Sequence, residues 1–165
     1  MRHRARRSFP LLESCSAMKI TVETHVMAPL ERVWAAWITP EDILCWHAAS
    51  EDWRTTFATV DLREGGEFRS RMEARDGSVG FDFAGIYTRI EPRRLIAYTT
   101  LDERQVIVEF IEATAGRVLV RQTVEAERVH APAHQGQGWQ AILDSFARYL
   151  HGHAGGARAE QGGRA

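Results

Sequence analysis

The sequence is poor in the residues that mark several specialised classes of protein. Its two cysteines, Cys15 and Cys45, fit no metal-binding or redox spacing, so a reducing, cytoplasmic setting is expected. No apolar run approaches the roughly 20 residues that span a bilayer, and we expect no membrane segment. A formal net charge of −1 leaves no excess of base for neutralising phosphates, so no nucleic-acid partner is expected. Lys19 is the single lysine among 21 basic residues, a skew that indicates nothing about function.

What the sequence does contain is enough for one globular domain. Its 165 residues, 44% hydrophobic and 26% charged, can bury a core without disulfide bonds. Residues 1–17 are basic and aperiodic, which predicts a disordered leader, or a mis-assigned start with Met18 as the natural first residue. Residues 18–151 form the predicted domain, and residues 152–165 the predicted disordered tail.

A long amphipathic helix is predicted near the C-terminus, starting at Pro132. Its large apolar residues recur with the i, i+3, i+4, i+7 spacing of one broad helical stripe. They are Trp139, Ile142, Leu143, Phe146, Tyr149 and Leu150. A stripe of this size needs a wide apolar surface to cover it. Alanine in place of Trp139 is therefore expected to cost about 3–5 kcal/mol if the indole is buried where the helix meets that surface.

Alternation of apolar and polar residues predicts a strand before two short helices, and six strands after them. Pro29 begins the first helix, over residues 30–38, and Thr39-Pro40 caps the second, which ends near Cys45-Trp46-His47. Short turns join the six later strands, so an antiparallel meander is expected. The strands are predicted at 20–26, 53–62, 67–75, 81–90, 95–101, 105–113 and 117–126.

The same alternation predicts which side chains share a strand face. Phe68, Ser70, Met72 and Ala74 form one such face. Another places Asp61 with Trp53, Thr55, Phe57 and Thr59, and a third places Gln122 with Val118, Val120 and Val124. If the last two faces point inward, Asp61 and Gln122 need hydrogen-bond partners, which a ligand could supply. Asp61 could instead end its strand in solvent.

No catalytic or metal-binding constellation stands out. Cys45 and His47 are two residues apart at a helix end, where side chains do not face each other. His130 and His134 have the i, i+4 spacing of metal ligands, but Pro132 lies between them, which favours a solvent-exposed pair. We therefore expect no metal and no cofactor, and we lean against an enzyme.

Four motifs in order resemble those of the START-like SRPBCC superfamily. Residues 28–37 (APLERVWAAW) are similar to its "APxExVWxAW" opening, and residues 61–68 (DLREGGEF) to its "DxRxGGxF" hairpin. Residues 83–95 are similar to "FxGxYxxIxPxxxL", and residues 138–150 to "GWxxxLxxxxxYL". Together they cover residues 19–151. The branch they resemble is the one homologous to the activator of the heat-shock-protein-90 ATPase, which is polyketide cyclase-like.

Two departures from this family pattern bear on function. Arg117 and Val118 follow Gly116, where the family often has Thr. The eukaryotic activators also carry a separate chaperone-binding domain, for which residues 1–17 offer no counterpart. The chaperone role therefore carries over poorly, although a chaperone partner stays an alternative.

The resemblance implies an α+β helix-grip fold, in which a curved antiparallel sheet of about seven strands wraps around the C-terminal helix. It also implies a ligand cavity, and a bent sheet cannot touch a straight helix along its whole length. Ten residues are the expected ligand contacts: Trp46, Trp53, Phe57, Phe83, Tyr98, Gln122, Trp139, Ile142, Leu143 and Phe146.

We expect the function to be binding of a small hydrophobic or amphipathic molecule, by a monomer or weak homodimer. One alternative is a cyclase- or hydrolase-like enzyme acting on a polyketide-like or aromatic substrate. The other is a chaperone cofactor or another protein-binding module.

Overall fold

The computed structural model describes residues 17–128 and 131–156. The predicted leader up to residue 16, His130, and residues 157–165 of the predicted tail lie outside these ranges. Within them, the elements follow the predicted order. They are β1 (Lys19–Val26), α1 (Leu30–Ile38), α2 (Pro40–Trp46), β2 (Trp53–Val60), β3 (Glu67–Ala74), β4 (Gly80–Glu91), β5 (Leu95–Thr100), β6 (Gln105–Thr114), β7 (Arg117–Glu125) and α3 (Pro132–Gly156).

The strands form one antiparallel sheet in the order β1-β7-β6-β5-β4-β3-β2. Strands β2 to β7 are a meander of consecutive neighbours, and β1 pairs with β7 from Lys19–Glu125 to Val26–Val118. The tandem helices α1 and α2 therefore carry the chain from one edge of the sheet to the other. The curled sheet wraps around α3, and this arrangement confirms the predicted α+β helix-grip fold.

Helix α3 turns its predicted apolar stripe toward the core. Leu143, Phe146 and Leu150 are buried, and Trp139 and Tyr149 pack against the core while half-buried. The helix continues past Leu150 to Gly156, so the first residues of the predicted tail are helical. Backbone hydrogen bonds do not need apolar side chains, which is why the end of the stripe does not mark the end of the helix. Among the described residues, no helix is long and apolar enough to cross a membrane.

Aromatic rings from three helices and one strand meet beneath α3. The ring centroid of Phe146 lies 4.8 Å from that of Trp46 and 5.1 Å from that of Trp37. Trp37 in turn packs edge-on against Phe110 of β6 at 5.8 Å. Edge-to-face contacts at these distances are favourable for aromatic quadrupoles. The helices α1, α2 and α3 are thus joined to the sheet through one aromatic cluster.

A β-bulge in β2 corrects the prediction that Phe57 shares a strand face with Trp53 and Thr55. Thr55 pairs with Met72, but Phe57 pairs with Arg71, so Thr56 is an extra residue in β2. One extra residue turns the following side chains to the opposite face. Thr55 is accordingly buried, whereas Phe57 is 51% exposed.

Gly85 marks a close approach of β4 to its neighbours. A Cβ atom on Gly85 would lie 2.5 Å from the Thr99 carbonyl oxygen and 2.9 Å from the Phe68 ring. We expect Gly85→Ala to lower the free energy of unfolding by about 1–3 kcal/mol, as overpacking does elsewhere. Urea unfolding measures this, with Gly138→Ala as the control. Gly138 has open space around its Cβ position and lies inside α3, so that change is expected to stabilise by about 0.5–1 kcal/mol. Equal effects of the two changes would contradict the close approach.

Candidate functional site

Two adjoining cavities lie between α3 and the sheet. The inner cavity has a volume of about 50 Å³ and the outer cavity about 270 Å³. Residues of α1, α2, β2, β3, β4, β5, β7 and α3 line the inner cavity. The outer cavity opens beside the first half of α3, where Gln135, Gly138 and Trp139 border it. The gap between helix and sheet is therefore mostly filled by side chains at its inner end and hollow at its outer end.

Four residues form the wall that the two cavities share: His47, Phe83, Trp139 and Ile142. The rings of Phe83 and Trp139 stand edge to face with centroids 5.9 Å apart. His47 meets the same Phe83 ring at 5.5 Å. A molecule that reached from the outer into the inner cavity would therefore pass beside Phe83 and Trp139.

Hydrogen bonds at the end of α2 hold His47 in place. The Trp46 indole N–H donates to the Ala36 carbonyl oxygen at 2.9 Å, and the Ser145 hydroxyl donates to the Trp46 carbonyl oxygen at 2.7 Å. The Thr55 hydroxyl donates to the carbonyl oxygen of His47. These bonds tie the end of α2 to α1, α3 and β2, so the imidazole of His47 is fixed at the wall of the inner cavity.

The imidazole of His47 is buried, and no acidic side chain among the described residues pairs with it. Burial lowers the pKa of His47 to about 4, because the charged form would lose its hydration. The ring is thus neutral at pH 7. Its Nδ1 atom is buried and has no hydrogen-bond partner among the described residues. A neutral imidazole has one donor and one acceptor nitrogen, so His47 retains hydrogen-bonding capacity toward the cavity.

Gln122 of β7 places a second polar group in the inner cavity. The side chain is 2% exposed, and its Nε2 atom donates to the Tyr98 hydroxyl oxygen across a long 3.4 Å contact. Its Oε1 atom has no partner within the part of the chain that the structure describes. Burial raises the pKa of Tyr98, so the phenol keeps its proton at neutral pH. The inner cavity therefore has a polar end made of uncharged groups.

The structure distributes the ten predicted ligand contacts over four environments. Six line the inner cavity: Trp46, Phe83, Tyr98, Gln122, Trp139 and Ile142. Trp53 lines the outer cavity. Leu143 and Phe146 are 0% exposed within the core and line neither cavity, and Phe57 lies on the exposed face that follows the bulge.

Several cavity residues were missing from that prediction. Phe68 and Ser70 of β3 line the inner cavity, and Met72 lines the outer one. Their shared face was visible in the alternation of β3, and all three side chains are buried, so this signal could have found them. His47 carried no such signal, because its place depends on how the end of α2 meets β2 and β4.

The other residues that the sequence offered for catalysis, metal binding or ligand contact do not line the two cavities. The Cys45 thiol is exposed and points back to the Glu41 carbonyl oxygen at 3.5 Å, away from the buried His47. Asp61 forms an exposed ion pair with Arg63, with Nε and Oδ2 2.9 Å apart. His134 is exposed at the start of α3. Among the described residues, no three His, Cys, Asp or Glu side chains are grouped so that they could hold a metal ion.

Comparison with known families gives one match over most of the chain. Residues 27–151 match the family described as "Activator of Hsp90 ATPase homolog 1-like protein". This match confirms the resemblance drawn from the four motifs. No curated protein matches the sequence.

Solved structures with the same fold come from several bacteria. The AHSA1-like protein from Aeromonas hydrophila is 44% identical, with 89% of this chain and 100% of that one covered and a TM-score of 0.78. A protein from Cytophaga hutchinsonii is 38% identical over 83% of this chain and 94% of its own, with a TM-score of 0.71. A protein from Nitrosomonas europaea shares the fold alone, at 17% identity over 84% and 97% of the two chains and a TM-score of 0.69.

Proposed function

The chain belongs to the family of activator of Hsp90 ATPase homolog 1-like proteins, and within that fold we propose that it binds a small apolar or amphipathic molecule between α3 and the sheet. The observation that carries this proposal is the pair of adjoining cavities, whose lining includes two buried polar atoms without a hydrogen-bond partner among the described residues, His47 Nδ1 and Gln122 Oε1. Unpaired polar atoms in a buried site cost stability, so natural proteins rarely keep them without a use.

The dimensions of the cavities suit a small ligand. Together they reach the lower end of the roughly 300–1,000 Å³ that is usual for small-molecule sites. The outer cavity is lined mainly by apolar side chains, Trp53, Met72, Phe81, Phe83, Trp139 and Ile142 among them. An apolar body would gain free energy there by leaving water, and the polar end would fix its orientation.

The outer cavity gives the proposal a direct test with a neutral fluorescent probe, N-phenyl-1-naphthylamine. Calorimetric titration is expected to give a Kd of roughly 1–100 μM, the range for a ligand of this size in an apolar pocket. The half-buried Ala49 lines the outer cavity, so Ala49→Trp would fill it and weaken binding at least about tenfold. Ala115→Trp, at an exposed turn remote from both cavities, is the matched control and should bind as the wild type does.

Two outcomes would overturn the proposal. One is a wild-type protein that does not bind the probe even when the protein is titrated to millimolar concentration. The other is an Ala49→Trp variant that melts as the wild type does and binds the probe with unchanged affinity. Native mass spectrometry of the protein purified from its own host then identifies the natural ligand by its mass.

The polar groups of the inner cavity also bear on the cyclase- or hydrolase-like alternative. General acid–base catalysis is most efficient when the pKa of the acting group lies near the working pH. Burial moves the pKa of His47 down to about 4 and that of Tyr98 up, away from neutrality in both cases. Such groups are well suited to hydrogen-bonding a ligand and poorly suited to exchanging protons with it. This favours a binding protein.

The family description supports a second candidate, a cofactor of the heat-shock-protein-90 chaperone. A cofactor would change the ATPase rate of the purified chaperone and co-purify with it. The ligand-binding proposal predicts neither effect, so this assay separates the two.

A further inference from the structure

We propose that the inner cavity selects an uncharged hydroxyl group, so that the ligand is a phenol or an alcohol with an apolar body. This rests on the proposed function, since it concerns the ligand of the same cavities. The inner cavity accepts the head of the molecule, and the outer cavity holds its body.

The polar atoms of the inner cavity require a head that can both donate and accept. As oriented, Gln122 donates to the Tyr98 hydroxyl and leaves its Oε1 atom to accept from a ligand. Turning the amide over lets Tyr98 donate to Oε1 instead, and a donor N–H group then faces the ligand. His47 likewise offers a donor and an acceptor. A hydroxyl group, which is donor and acceptor at once, satisfies either arrangement.

The side chains that line the inner cavity exclude a ligand with a charged head group. Every described side chain that borders the inner cavity is uncharged at neutral pH, His47 included. A carboxylate or an ammonium group would lose its hydration there with no opposite charge to replace it. Arg104 borders the outer cavity only, and its Nε atom is already paired with an Asp102 carboxylate oxygen at 2.7 Å.

The size of the inner cavity limits the head further. A volume of about 50 Å³ is a few times the roughly 10–15 Å³ that a cavity needs to hold one water molecule. A hydroxyl group and the few carbon atoms next to it fit, whereas a ring system with several substituents does not. The larger apolar portion must remain beside Phe83 and Trp139, in the outer cavity of about 270 Å³.

Three two-ring probes that differ only in the head test this inference on the wild-type protein. At pH 7, 2-naphthol is expected to bind about tenfold more tightly than naphthalene, because it completes buried hydrogen bonds. 2-Naphthoate, which is ionised at this pH, is expected to bind more weakly than naphthalene. Competition with N-phenyl-1-naphthylamine gives the three affinities.

A variant locates the preference at Gln122. In Gln122→Met, the preference for 2-naphthol over naphthalene should fall from about tenfold to about threefold or less, because His47 alone then offers a hydrogen bond to the hydroxyl group. Gln105→Met, at the exposed start of β6, is the control and should keep the tenfold preference. An undiminished tenfold preference in a folded Gln122→Met protein would overturn the assignment to Gln122.

The ligand series also separates this inference from the proposed function. Binding of naphthalene and 2-naphthol with equal affinity, or tighter binding of 2-naphthoate, would overturn the head-group selection and leave ligand binding intact. Binding of none of the three, nor of the competing probe, would overturn both.

Discussion

Replacing Phe146 with alanine is expected to lower the free energy of unfolding by about 3–5 kcal/mol, as Phe→Ala changes in cores do. Phe146 is 0% exposed and meets the rings of Trp37 and Trp46 at 5.1 and 4.8 Å. The change removes the apolar contacts of a whole ring and leaves a cavity whose walls belong to three different helices. Such walls can relax only in part, which adds to the cost.

Chemical denaturation at pH 7 measures the effect, with the midpoint and the slope determined for each protein. Arg148→Ala serves as the control, because Arg148 is exposed on the opposite side of the same helix and its loss should change stability by less than about 0.5 kcal/mol. A loss below about 1 kcal/mol for Phe146→Ala would mean that the stripe of α3 does not carry the packing assigned to it.

Acidification from pH 7 to pH 4 is expected to remove about 3 kcal/mol of stability through His47 alone. The pKa of this imidazole falls from an unfolded value of 6.5 to about 4 in the folded protein. Between these values the unfolded chain binds the proton more readily than the folded chain, so protons favour unfolding. The contribution of His47 is therefore complete above pH 6.5 and is lost as the pH falls toward 4. Each unit of pKa difference corresponds to about 1.4 kcal/mol.

His47→Gln isolates this contribution from that of the carboxylates. The variant removes the titrating group and keeps a polar side chain in its place. Urea unfolding at intervals from pH 7 to pH 4 should give a steeper decline for the wild type than for His47→Gln, with the difference approaching about 3 kcal/mol. Parallel declines for the two proteins would show that the imidazole is hydrated in the folded state.

Local patterns in the sequence were sufficient to predict the arrangement of the elements. The Thr39-Pro40 pair separates α1 from α2 because proline fits the first turn of a helix and not its interior. Strict alternation located β3 within a residue of its observed ends, Glu67 and Ala74. These patterns depend only on neighbours along the chain, so they can be recognised without knowledge of the tertiary structure.

The same patterns failed where a side chain's direction depends on distant parts of the chain. The bulge at Thr56 depends on how β2 pairs with β3, and it turned Phe57 outward. Likewise, Phe146 and Trp139 belong to one helical stripe, yet one is sealed in the core and the other borders both cavities. Periodicity specifies the face of a helix, whereas the neighbouring elements decide what that face meets at each turn.

The sequence by itself thus determined the order of strands and helices, the apolar stripe of α3 and the family, because each is encoded in residues close together in the chain. Only the tertiary structure decided where the space under α3 is filled and where it is hollow. Aromatic rings from α1, α2 and β6 close it around Phe146, whereas beside Trp139 it stays open as the outer cavity. It also buried His47 at the wall between the two cavities and Gln122 in the inner cavity, since burial is a property of packing in three dimensions.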